Sequence, residues 1–88
     1  MTNIQFLRET HGLSQKDLAK IMGVYLDVVQ DWDDPECFVN PRFTKTLSTL
    51  FDLPEPFFDN NSHFTELEKE LITKLVQHYP IKENPTND

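Results

Sequence analysis

The chain carries IQFLRETHGLSQKDLAKIMGV at residues 4–24 and VVQDWDD at residues 28–34. Within the first stretch, apolar residues recur at the three- and four-residue spacing of amphipathic helices, and each of two such patterns ends at a glycine, Gly12 or Gly23. Glycine suits the positive φ past a helix end. Ser14 offers an N-cap hydroxyl, with Asp17 in the first turn that follows. The stretch therefore predicts one helix over residues 3–11 and a second of about two turns.

The helical pattern resumes directly after the second glycine and continues to Asp34-Pro35, where proline ends it. One side of this third helix carries Val24, Val28, Val29 and Trp32, and the spacing of Trp32 from the valines predicts a core aromatic. Two short helices joined by a glycine-containing turn form a helix-turn-helix.

Two more helices are predicted in the second half of the chain. Residues 34–41 lack periodicity and form a loop, and a helix over residues 42–53 is expected to stop at Pro54 and Pro56. Phe57 and Phe58 are expected to fold back onto the core. After turn chemistry at residues 59–62, Thr65 and Glu68 make a capping box for a helix that runs to residue 79. Its apolar arc of about 180° consists of Phe64, Leu67, Leu71, Ile72, Leu75, Val76 and Tyr79, which is wide enough to bury against two surfaces.

Composition limits the class of protein. The 88 residues suffice for one domain, with a small core drawn from 38% hydrophobic residues. No apolar run approaches the roughly 20 residues that span a bilayer, and the single Cys37 cannot form an internal disulfide. There is no basic segment followed by an apolar one at the start, so a cytoplasmic location is expected. The net charge of −7 opposes attraction to anionic membranes.

Catalytic, cofactor and metal sites are not indicated. His11, His63 and His78 are too scattered for a metal site by spacing, and one cysteine makes no zinc pattern. No phosphate-binding loop or nucleophile motif is present, so no enzymatic activity and no cofactor are expected. Cys37 has no basic neighbour within four residues and is expected to be inert.

The order and spacing of these features resemble the helix-turn-helix domain of the lambda-repressor-like, or Cro/C1 (XRE), family of transcriptional regulators. The resemblance covers residues 4–58, and the recurrent positions are Leu7-Arg8-Glu9, Gly12-Leu13-Ser14-Gln15, Leu18-Ala19, Gly23-Val24, Val29 and Trp32-Asp33. The chain is thus expected to be an all-α domain of about five helices over residues 1–80. In it, residues 64–79 form an additional C-terminal amphipathic helix, and residues 81–88 are a polar tail.

The resemblance implies a small, repressor-like, sequence-specific DNA-binding regulator, acting on double-stranded DNA as a homodimer with its third helix in the major groove. The phosphate-contacting residues that it implies are Gln15, Lys16, Lys20, Arg42 and Lys45. The base-facing residues are Tyr25, Leu26, Asp27, Val28, Gln30 and Asp31.

The third helix departs from the family pattern in its charge. No Lys or Arg lies between Met22 and Pro41, whereas that segment carries Asp27, Asp31, Asp33, Asp34 and Glu36. Its following loop is about two residues longer than is usual in the family and lacks the usual glycine. The dipole at the C-terminus of a helix disfavours Asp33 and Asp34, so their presence suggests either a partner with basic groups or a solvated acidic rim, and of these we expect the rim.

A second hypothesis follows from these acidic residues. The chain would be a protein-interaction module that has kept the fold, such as a phage-type antirepressor or repression modulator, or an antitoxin. Its surface, formed by Leu26, Asp27, Asp31 and Asp34, would bind a basic DNA-binding protein or a toxin.

Overall fold

Five α-helices and one 3-10 turn make up the computed structural model, which describes residues 1–59 and 63–78. The elements are α1 (Asn3–Thr10), α2 (Gln15–Met22), α3 (Leu26–Trp32), α4 (Pro41–Phe51), the 3-10 turn (Glu55–Phe58) and α5 (Glu66–His78). No strand occurs in those two ranges, so the all-α prediction is confirmed. The predicted turn residues 60–62, Tyr79 and the polar tail 81–88 lie outside the described residues.

Side-chain caps begin α2 and α5 where the sequence predicted them. Ser14 and Asp17 form a reciprocal capping box at α2, in which each side chain accepts a backbone N–H of the other at 3.0 Å. Thr65 and Glu68 form the same arrangement at α5, at 3.1 and 2.8 Å. Gly23 closes α2 with a φ of 70°, in the left-handed region that glycine adopts without strain.

The predicted bounds of α3 and α4 were wrong. The α3 helix begins at Leu26 instead of directly after the glycine turn. The α4 helix begins at Pro41, where the Asn40 side chain accepts the Arg42 N–H at 3.0 Å. It ends at Phe51 because Asp52 takes a left-handed φ of 58°, so a backbone reversal stops it ahead of the first proline.

The core lies between α1, α2, α3, α4 and the 3-10 turn. Its fully buried apolar side chains are Ile4, Leu7, Leu18, Val29, Leu47 and Phe58. Trp32 is 2% exposed and lies 5.4 Å from the Phe43 ring, which confirms it as a core aromatic. Phe57 and Phe58 fold back onto the core as predicted. None of the helices in residues 1–59 and 63–78 is both long and apolar enough to cross a membrane.

The C-terminal helix is tied to the rest of the domain through Asn3. The Asn3 side chain donates to the Phe57 carbonyl at 2.8 Å and accepts the Phe64 N–H at 2.9 Å. Phe64 and Ile72 are buried, and Val76 packs against the core. The rest of the described part of the predicted arc, namely Leu67, Leu71 and Leu75, is at least half exposed, so the described α5 buries one side only.

Candidate nucleic-acid interface

The α2 and α3 helices pack against each other across the turn at residues 23–25. Ala19 and Val29 are both buried there, and the Val24 N–H bonds to the Ala19 carbonyl at 3.0 Å. A residue as small as Ala19 allows two helices to approach closely. The turn therefore fixes how α3 projects from the domain.

A buried ion pair ties α1 to the C-terminal end of this helix-turn-helix. Arg8 Nη2 lies 2.8 Å from Asp33 Oδ2, and the two side chains are 8% and 14% exposed. Arg8 Nη1 donates to the Leu13 carbonyl at 2.9 Å, and Gln15 Nε2 donates to the same Asp33 oxygen at 2.9 Å. The Asp33 carboxylate thus joins the end of α3 to α1 and to the start of α2.

Asp33 was therefore wrongly assigned to a solvated acidic rim. Arg8 compensates the charge of Asp33, although the helix dipole disfavours a carboxylate at the C-terminal end of α3. The predicted phosphate contact Gln15 is half-buried, and its side-chain amide is engaged by Asp33. The Gln15 backbone lies at the start of α2. Its side-chain amide would have to break its hydrogen bond to Asp33 before it could bind a phosphate.

The other four predicted phosphate contacts are exposed. Lys16 and Lys20 lie on α2, and Arg42 and Lys45 lie on α4, in the helices before and after α3. Arg42 also rests over the Phe43 ring, with its guanidinium carbon 5.4 Å from the ring centroid. Four cationic side chains are therefore available to an anionic ligand.

The exposed side of α3 carries most of the predicted base-facing residues. Tyr25 is 83% exposed, and Asp27, Gln30 and Asp31 are also exposed. Leu26 is half-buried. Val28 is half-buried as well, but it packs against the core, so it is only partly available to a ligand.

The carboxylates of α3 continue into the following loop and form an acidic surface, defined by Asp27, Asp31, Asp34 and Glu36. All four residues are exposed. The pKa of the adjacent Cys37 thiol is raised by burial, and further by the negative charges of Asp31 and Asp34. The negative charges of Asp31 and Asp34 therefore both act on the Cys37 thiol. The raised pKa favours the protonated thiol, which is unreactive.

Phe38, which the sequence analysis did not single out, is 79% exposed beside this acidic surface. An aromatic residue within an unperiodic loop gives no sequence signal that distinguishes core from surface. Its exposure adds an apolar element to a surface that is otherwise charged.

No group of three metal-ligating side chains occurs in residues 1–59 and 63–78. Searches against protein-family models, curated proteins and solved structures find no match to this chain.

Proposed function

We propose that the protein is a small, cytoplasmic, sequence-specific DNA-binding transcriptional regulator of the repressor type, which docks α3 in the major groove. The observation that carries the proposal is the exposed face of α3 on a helix-turn-helix fixed by the buried Arg8–Asp33 pair. The sequence pattern of residues 4–58, which resembles the lambda-repressor-like family, supports the same function.

The four flanking cations and two residues of α3 have defined roles in this proposal. Lys16, Lys20, Arg42 and Lys45 neutralise phosphates on either side of the groove, which sets the register of the protein on the duplex. On α3, Gln30 bonds the N6 and N7 atoms of adenine, and Asp27 accepts from the N4 amino group of cytosine. A carboxylate that contacts a base does not attract phosphate, so the affinity for DNA depends on the four flanking cations.

A pair of lysine variants tests groove docking. Lys45→Ala should weaken binding to every duplex and lower the magnitude of the log–log salt slope by about 0.9 per subunit. Lys74→Ala is the matched control, because Lys74 is also exposed but lies on α5. Equal effects from both variants would show that the lysines contribute to DNA binding without a defined DNA-binding face.

A second candidate function is binding of a basic protein, such as a DNA-binding repressor or a toxin. It is favoured by the acidic surface and by the exposed rings of Tyr25 and Phe38, since aromatic residues are enriched at protein interfaces. The absence of Lys and Arg from residues 23–40 makes this surface uniformly negative. Such a surface steers a cationic partner and speeds association at low salt.

The double variant Asp27→Asn/Asp31→Asn separates the two functions by the sign of its effect. It removes two negative charges and retains side-chain size. If α3 enters DNA, repulsion falls and non-specific binding tightens by about 1 kcal/mol at low salt. If the acidic surface receives a basic protein, association slows instead. Glu66→Gln/Glu70→Gln, which removes two exposed charges from α5, is the control.

A further inference from the structure

A small apolar groove lies where the end of α4 meets α1 and α5. Its volume is about 140 Å³. Leu7, Phe51 and Ile72, one from each of the three helices, are buried side chains of its lining, and Leu75 and Val76 add an apolar wall from α5. The lining includes no residue of α2 or α3, so the groove is separate from the face that is proposed to bind DNA.

Two polar side chains, His11 and Asp52, also line this groove. The His11 ring is half-buried and its centroid lies 5.1 Å from that of Phe51, whereas Asp52 is exposed directly after the last residue of α4. Within residues 1–59 and 63–78, neither side chain has a hydrogen-bond or ion-pair partner. An apolar pocket with a few convergent polar groups is the usual form of a small-molecule site.

The volume of the groove limits the apolar part of a ligand to one ring. A cavity of about 150 Å³ lined by leucine, isoleucine and phenylalanine accepts benzene. This groove has a similar volume and the same residue types in its lining. It is open to solvent beside Asp52 and the half-exposed Leu75, so a short substituent on the ring can reach out past the carboxylate.

The charge at the opening of the groove selects a cation. Burial lowers the pKa of His11 below its ordinary value of 6.5, so the imidazole is neutral at pH 7 and does not repel a positive ligand. Among the described residues, Asp52 is then the one charged side chain in the lining. An ammonium group can donate to the Asp52 carboxylate, whereas an anionic ligand would be repelled by it.

We propose that this groove binds a small primary amine with one phenyl-sized apolar group, which contacts Leu7, Phe51 and Ile72 while the ammonium pairs with Asp52. The site goes beyond the proposed function and is independent of whether α3 binds DNA or a protein. A ligand of about nine non-hydrogen atoms should bind with a dissociation constant of about 1 mM.

An NMR titration of the full chain with phenethylamine at about pH 7.5 tests the site, since the amine is a cation at this pH. The ring resonance of His11, assigned by its loss in His11→Gln, should shift and saturate. The resonance of His63, which precedes α5 and is not in the lining, should stay in place. Phenethyl alcohol has the same size without the charge and should bind roughly 3- to 5-fold more weakly, and phenylacetate more weakly still.

Two pairs of variants separate the charge from the apolar contact. Asp52→Asn removes the charge, and asparagine tolerates the left-handed φ of 58°, so the fold is retained. It should bind the amine only as well as the alcohol, whereas the control Glu66→Gln, at an exposed carboxylate outside the lining, should bind it as the wild type does. Leu75→Ala should weaken the binding of both probes, and Leu67→Ala, at a 65% exposed site outside the lining, should not.

Circular dichroism melting of Asp52→Asn should match the wild type, so that a loss of binding reports on the charge. The proposal is overturned by a His11 resonance that shows no saturable shift up to about 10 mM phenethylamine. It is equally overturned by a wild type that binds the amine and the alcohol with the same affinity, or by an Asp52→Asn variant that binds the amine as tightly as the wild type.

Discussion

Replacing Asp33 with alanine should destabilise the domain more than any exposed substitution near it. The change leaves the 8% exposed Arg8 side chain without its 2.8 Å partner and removes the acceptor of Gln15. Breaking a buried ion pair from one side costs about 3–5 kcal/mol. Arg8 keeps the Leu13 carbonyl and a 3.7 Å contact with the half-exposed Glu9, so we expect the lower end, about 3 kcal/mol.

That loss is large for a chain of this size. At 0.05–0.15 kcal/mol per residue, 88 residues give a total free energy of unfolding of about 4–13 kcal/mol. A loss of 3 kcal/mol lowers the melting temperature of such a domain by about 12–24 °C. Thermal and urea unfolding followed by circular dichroism measure both quantities.

A double-mutant cycle isolates the ion pair from the loss of side-chain contacts. Arg8→Met/Asp33→Ala should cost less than the sum of its single changes, because no uncompensated charge is left buried. Asp31→Ala, two residues away and exposed, is the control and should stay within about 0.5 kcal/mol of the wild type. Additive single changes, or an Asp33→Ala variant as stable as this control, would refute the structural role of the pair.

Three further predictions concern stability. Trp32→Ala should cost about 3–5 kcal/mol and lower the melting temperature measured by circular dichroism by about 12–40 °C, whereas an unchanged melting curve would place Trp32 outside the core. Burial against Phe51 lowers the pKa of His11 below its ordinary value of 6.5. The unfolded chain therefore takes up this proton first, so stability is full above pH 6.5 and falls as the pH drops toward the folded pKa. His11→Gln should lose less stability than the wild type between pH 8 and pH 5, and equal losses in urea titrations would contradict the assignment. Asp52→Gly should keep or raise the free energy of unfolding measured in urea, by up to about 1 kcal/mol, because glycine adopts the left-handed φ of 58° freely, and Asp52→Val should lower it.

The sequence predicted the parts of the fold that depend on neighbouring residues. The capping boxes at Ser14 and Thr65 each join residues three apart, so they are readable from spacing. The helix-turn-helix follows similarly from apolar periodicity around one glycine. By contrast, Asp52 ends α4 by taking a left-handed backbone conformation, which an aspartate does not require. The sequence therefore predicted that the helix would end at the following prolines instead.

The candidate site depends on contacts between distant residues, which spacing does not reveal. Arg8 and Asp33 are 25 positions apart, and only the fold brings them to 2.8 Å. Gln15 was expected to face phosphate from its place at a helix start, but its amide is held by the same carboxylate. For α5, the apolar spacing predicted a wide arc, and the packing of Ile72 and Val76 decided which leucines stay exposed.

The central claim, that α3 docks in DNA between flanking cations, is tested most directly by titrating the wild-type chain with a fluorescently labelled duplex at several salt concentrations. Four phosphates neutralised per subunit predict a log–log salt slope of about −3.6, or about −7 for a dimer. Binding should be detectable at about 50 mM salt and weaken steeply toward 200 mM. No binding at 50 mM salt, or binding without salt dependence, would contradict the claim and favour the basic protein partner.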